Sequence, residues 1–193
     1  MPTSTGAVWD LLDRVPAANH AGKVGMDELV SELARLPVPR IVEFHRGVVA
    51  LANRALTWRL WEAATIIFRQ EIGQDSFTDF RLWLVAQGRE VFEAAVADPD
   101  SLAGHRPIRA LAAKPASTWT DEDFPTMWEL VGVGALAFDL VLRKLNPRMA
   151  KQVEFPEALE RGPRESPDGP DLPRFGEEPE TSRRCPRLVQ LFA

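Results

Sequence analysis

Acid, amide and guanidinium groups crowd into one short stretch of this chain. Asp75, Asp79 and Glu90 supply carboxylates, Arg81 and Arg89 supply guanidinium groups, and Gln87 adds an amide. Asp75 and Asp79 stand four apart, which puts both carboxylates on one face of a helix. A guanidinium fork matches the geometry of carboxylate and phosphate. A cleft built from these groups would therefore hold a polar or anionic ligand. Trp83 borders the same stretch, and Trp58 and Trp61 would add an aromatic wall. The competing structural reading gives Asp75 to helix capping, the arginines to exposed ion pairs and the tryptophans to the core. The candidate binding surface is thus Trp58, Trp61, Asp75, Asp79, Arg81, Trp83, Gln87 and Arg89, and no residue is assigned as catalytic.

Other chemistries find less support. His20 and His105 fall in expected loops and His45 on an expected helix, far apart in sequence. No pair of histidines or of glutamate and histidine has the spacing of a helix-borne zinc or di-iron site, so no metal is expected. Glu43 and His45 stand two apart and face different sides of a helix; Glu43 and Arg46 read as an ordinary exposed pair. No G-x-S-x-G, phosphate-binding loop or dinucleotide-binding loop occurs, so no cofactor is expected. The single cysteine, Cys185, rules out an intrachain disulfide. It follows Arg183 and Arg184, whose charge would lower a thiol pKa, but a flexible tail is a poor place to organise a nucleophile.

These residues need elements to position them, and the apolar pattern predicts helices. Val8, Trp9, Leu12 and Val15 make one face of a short helix, with Ser4 or Thr5 as cap. Leu29, Val30, Leu33 and Leu36 make the next, and Pro37 and Pro39 end it. Pro39 suits the first turn of a third helix, from about Arg40 to Leu56. A fourth covers Trp58 to Arg69. Asp75 or Ser76 would cap a long helix from Phe77 to Ala97, bent at Gly88. Thr120 and Asp123 form a capping-box pattern ahead of a last helix reaching Leu145. That helix is nearly continuous in apolar residues and is expected to be the most buried; Gly132 and Gly134 would let a neighbouring helix approach closely. No segment alternates like a strand.

The fold class is therefore mainly α: a compact helical domain over 1–145, followed by a proline- and charge-rich, largely irregular tail. Eight of the sixteen prolines lie in the last 48 residues. Residues 146–182 read as a linker that buries too little apolar surface to offset its ordering. Residues 183–193 end in Leu188, Val189, Leu191 and Phe192, and are expected to dock back onto the domain; a partner is the other possible receiver.

Whole-chain composition narrows the function classes. The formal charge is −5, from 23 Lys and Arg against 28 Asp and Glu. Phosphate neutralisation needs a basic surplus, so nucleic acid is not an expected partner. Residues 127–142 carry Glu129 and Asp139 within an apolar run shorter than a spanning helix, so no membrane is expected. The amino terminus lacks an apolar run of signal-peptide length, which points to the cytoplasm.

Several runs resemble a known family. They are W-x-L-W at Trp58–Trp61, D-S-F-x-x-F-R-x-W-L at Asp75–Leu84, Q-G-R-E-V-F-E-A-A at Gln87–Ala95 and A-D-P-D-S-L at Ala97–Leu102. The opening Val8–Arg14 and the closing Pro186-Arg187-Leu188 with Leu191-Phe192 fit as well. Together they resemble a bacterial, mainly actinobacterial, family known as domain of unknown function 4240. The resemblance implies a compact helical domain and no particular activity. Members commonly carry a glycine- and cysteine-containing turn where this chain has Arg69–Gln74, and the region after His105 also diverges. Any family function that needs that turn would be changed here.

The leading expectation is a cytoplasmic protein-binding or regulatory module acting through the Trp58–Arg89 region, with a protein partner and no cofactor. The alternative is a small enzyme or small-molecule sensor with an Asp75, Asp79, Arg81 and Arg89 pocket. A third is an assembly role for the tail alone.

Overall fold

The computed structural model describes residues 4–15, 25–145 and 185–193, all of them helix or connecting turn, with no strand. His20, the expected linker over 146–182, Arg183 and Arg184 lie outside these residues. The main elements are α1 (Ser4–Leu12), α2 (Met26–Leu33), α3 (Val38–Arg54), α4 (Trp58–Phe68), α5 (Gln74–Ala86), α6 (Arg89–Ala97), α7 (Arg106–Ala112), α8 (Glu129–Leu145) and α9 (Pro186–Phe192). Short 3₁₀ turns cover Pro99–Gly104, Ala116–Thr118 and Asp121–Asp123.

Two groups of helices share one apolar core. In the first, α3 packs against α1 and α8, and α2 also lies on α8. In the second, α6, α7, α4 and α9 all rest on the Pro99–Gly104 turn. Helix α5 joins the groups, because it touches α3, α4, α6 and α8. An element surrounded on four sides has no solvent face to spare. The run from Phe80 to Ala86 is accordingly buried at every position.

Local chemistry sets the helix ends. Thr57 caps α4 by accepting the Leu60 N–H at 3.3 Å. Asp75 and Ser76 do not cap α5; its cap is Gly73, and both residues lie inside the first turn. The expected long helix over 77–97 is two helices. Gly88 separates them with φ 88° and ψ 169°, a region open in practice only to glycine. Thr120 donates its N–H to Asp123 Oδ2 at 3.0 Å, but that capping pattern closes only the Asp121–Asp123 turn, and α8 starts later at Glu129. His105, expected in a loop, immediately precedes α7, a helix absent from the sequence reading.

Helix α8 is not the most buried element. One side meets α2, α3 and α5, while Leu136 is 57% exposed and Leu140 38% exposed on the other. Of its two inner glycines, Gly134 faces α3: a Cβ there would stand 3.0 Å from His45 Cβ. A Cβ on Gly132 would meet nothing within 4 Å.

Candidate functional site

The predicted surface does not assemble as one face. Arg81 and Trp83 are completely buried, so neither offers a side chain to a surface. Arg81 leaves α5 inward and donates to Ala52 O at 3.0 Å and to Thr78 Oγ1 at 2.7 Å. Ala52 belongs to the last turn of α3, where carbonyls have no partner within their own helix. The guanidinium therefore caps the negative end of α3 from another helix. It also lies over the Phe77 ring at 5.0 Å. Burial pushes its pKa down to about 10, which leaves it charged at neutral pH.

The tryptophans belong to a continuous aromatic stack. Trp58 meets Trp61 at 5.5 Å, Trp61 meets Phe77 at 4.7 Å, Phe77 meets Phe80 at 6.4 Å, and Phe80 meets Trp83 at 5.7 Å. A branch runs from Phe80 through Phe68, Phe124 and Trp119 to Phe192 of α9. Offset and edge-to-face ring contacts add to plain area burial. The W-x-L-W and F-x-x-F-R-x-W runs are thus largely accounted for by packing. This is the competing structural reading, with the tryptophans in the core, that the residue types also allowed.

Gln87 and Trp83 meet His105. The Gln87 Nε2 donates to Trp83 O at 3.1 Å, and Gln87 Oε1 lies 3.1 Å from His105 Nε2. The imidazole stands edge-on to Trp83 at 5.8 Å, and burial lowers its pKa. A cavity of about 60 Å³ is bordered by Trp83, Ile108, Leu111, Lys114 and Asp123. That is room for water and well below the ~300 Å³ of an ordinary metabolite pocket. Among the described residues, no group of three or more His, Cys, Asp or Glu side chains is placed to hold a metal.

Asp75 and Arg89 are the exposed members; Trp58, Trp61, Asp79 and Gln87 are half-buried. The Asp79 carbonyl accepts the Met127 N–H at 3.1 Å, which ties the start of α5 to the residues just before α8. Partial burial, then the Asp75 and Glu129 carboxylates, raise the Asp79 pKa. An acidic edge thus adjoins Trp128, which is 65% exposed. Arg89 sits at the start of α6, past the Gly88 turn.

A second charged residue holds a remote helix end. Asp100 is buried in the Pro99–Gly104 turn. Its Oδ1 accepts the Leu188 N–H at 2.8 Å, and its Oδ2 accepts the Arg187 N–H at 3.1 Å and Nε at 2.9 Å. The two backbone N–H groups are first-turn donors of α9, which have no partner within their own helix. Asp98 accepts from the same guanidinium at 2.9 Å. Burial alone would raise the Asp100 pKa, but the hydrogen bonds from Leu188 and Arg187 outweigh it and hold the carboxyl below its usual value. Leu188 and Phe192 are buried beneath. Arg69, in the divergent turn and at φ 55°, places its guanidinium 5.7 Å from the Trp119 ring and 5.5 Å from the Phe192 ring. Burial, followed by the Asp100 carboxylate, pushes the Cys185 thiol up to about 11, so it is protonated and a poor nucleophile.

Outside the predicted stretch lies an exposed apolar face. Among the described residues, the exposed large hydrophobic side chains are Trp128, Leu136 and Leu140. All three belong to α8 or the residue just before it. Their spacing of eight and four was visible in the sequence, but the whole helix is so apolar that spacing alone did not show which side faces water.

A family model described as a protein of unknown function (DUF4240) matches residues 4–140. No curated protein and no solved structure matches the chain. Among the described residues, no helix is long and apolar enough to cross a membrane. The chain belongs to the DUF4240 family.

Proposed function

We propose that this DUF4240 protein is a cytoplasmic protein-binding or accessory module whose contact surface is the outer face of α8. The observation that carries the reading is the concentration of exposed Trp128, Leu136 and Leu140 on that one segment. Soluble monomers rarely keep contiguous apolar surface without a use for it, and tryptophan is enriched at contact hot spots. The acidic edge of Asp75, Asp79 and Glu129 beside Trp128 favours a partner that offers apolar groups flanked by basic ones. The Asp/Arg pocket receives no comparable support, because the Arg81 guanidinium is engaged inside the fold.

Native mass spectrometry of the protein, purified gently from its own source, tests the reading. A stoichiometric polypeptide partner is expected, and Leu136→Asp should release it while leaving the helical circular dichroism unchanged. A retained small molecule, with no polypeptide, would overturn the reading in favour of a pocket.

A further inference from the structure

Resting on that reading, we infer that the partner of the α8 face is α8 of a second copy of this chain, packed antiparallel about Leu136. The order of residues along the exposed side points to this pairing. Glu129, Leu136 and Arg143 recur at intervals of seven, close to two helical turns, and so lie along nearly one line. All three are exposed. Gly132 and Leu140 flank that line, each four residues from Leu136.

A two-fold axis at Leu136 brings residues equidistant from it together. Leu136 meets its own copy. Leu140 falls opposite Gly132, where the missing side chain leaves open space for it. Glu129 falls opposite Arg143, twice, once on each side of the axis. The sequence is therefore self-complementary only in the antiparallel sense: a parallel pair would set Glu129 on Glu129 and Arg143 on Arg143. Antiparallel helices also align their dipoles favourably.

Within one chain Arg143 is paired with Asp139 at 2.7 Å, four residues back. That pair is exposed, and exposed pairs contribute little. Arg143 can turn to Glu129 of the second copy at small cost. Helix α8 has 17 residues and so runs about 25 Å. One such face covers less than the ~800 Å² per partner of a stable complex, so self-association is weak and depends on concentration.

The test is sedimentation velocity of the full chain over a range of concentrations, with charge-reversed variants. The wild-type chain should pass from monomer to dimer. Glu129→Arg alone and Arg143→Glu alone should each weaken association by about tenfold or more, since each sets like charges together at both ends. An equimolar mixture of those two variants should recover it, because every facing pair is again opposite in charge. Gly132→Leu, whose Cβ meets nothing within its own chain and whose side chain fills the recess, should abolish association.

A chain that stays monomeric throughout, or variants that associate as the wild type does, would overturn the inference. The wider reading is separable. If the chain is monomeric and Leu136→Asp still releases a different co-purified polypeptide, only the second-copy assignment falls. If Leu136→Asp releases nothing, both fall. A photo-crosslinker at position 136 that reacts within its own chain, at residues 146–184, would likewise overturn the second copy as occupant.

Discussion

Helix α5 carries Asp75, Asp79 and Arg81, yet its turns from Phe80 to Ala86 are buried on every side. Helix α8 is apolar through most of its length, yet Leu136 and Leu140 stand in solvent. Position in the assembly explains both. Four helices surround α5, whereas α2, α3 and α5 leave the far side of α8 open. Burial is therefore decided by how many neighbours the topology supplies, and side-chain polarity adapts where it must. Arg81 is tolerated inside because Ala52, in the last turn of α3, presents a carbonyl that needs a donor. Asp100 does the converse for the first turn of α9. Two charges that look like site chemistry thus serve as caps for helices distant in the chain.

This contrast can be broken most forcefully at Arg81. Arg81→Leu should cost about 3 kcal/mol in urea unfolding, since it strips the Ala52 carbonyl of its donor in a closed interior. Arg81→Lys should recover part of that loss, because a point charge cannot reproduce the fork. A neutral Arg81→Leu would mean that α5 does not use its charge structurally.

Asp100→Ala should cost about 2 kcal/mol, the upper range for a lost cap, and should speed amide exchange in α9 while α5 stays protected. The pH dependence has a fixed sign. The folded pKa of Asp100 lies below its unfolded value, so the stabilisation is complete above the unfolded value. It is lost as the pH falls through the folded one. Acid should therefore loosen α9 in the wild type, and the Ala variant should lack that transition.

The two glycines of α8 sharpen the comparison within a single helix. Gly132→Ala should stabilise the fold by up to about 1 kcal/mol, because alanine is the better helix former and its methyl meets nothing. Gly134→Ala should lose about 1 kcal/mol net, since the new methyl presses on His45 Cβ at the root of that side chain, beside the α3 backbone. Thermal unfolding of the two variants reads the difference in sign.

His105 gives the smallest effect. Burial lowers its folded pKa below the ordinary 6.5, so its contribution to stability is complete above 6.5. That contribution declines as the pH falls through 6.5 toward the folded value. His105→Gln should flatten the fall in thermal midpoint between pH 7 and 5 by a degree or so.

Much of the fold was legible in the sequence because it is written in local terms. The apolar spacing of Leu29 to Leu36 and of Ile41 to Leu51 marks helices without help from distant residues. Gly88 signalled a break, and only its φ of 88° turns the expected bend into two helices. The family resemblance was legible too, since the matched region spans residues 4–140. The site was less so. Arg81 finds its carbonyl 29 positions away and Asp100 its amide 88 positions away, and no spacing rule encodes such pairings. The open side of α8 was hidden for the opposite reason: apolar residues lie nearly all around it, so no stripe stands out.

The central claim is that contact with other polypeptides occurs at α8 and not along the Trp58–Arg89 stretch. The most direct measurement places a photo-crosslinking amino acid at position 136, and in a second variant at position 89, in cells that make the protein. The account predicts a discrete adduct with another polypeptide chain from position 136 and none from position 89. An adduct from position 89 alone would contradict it.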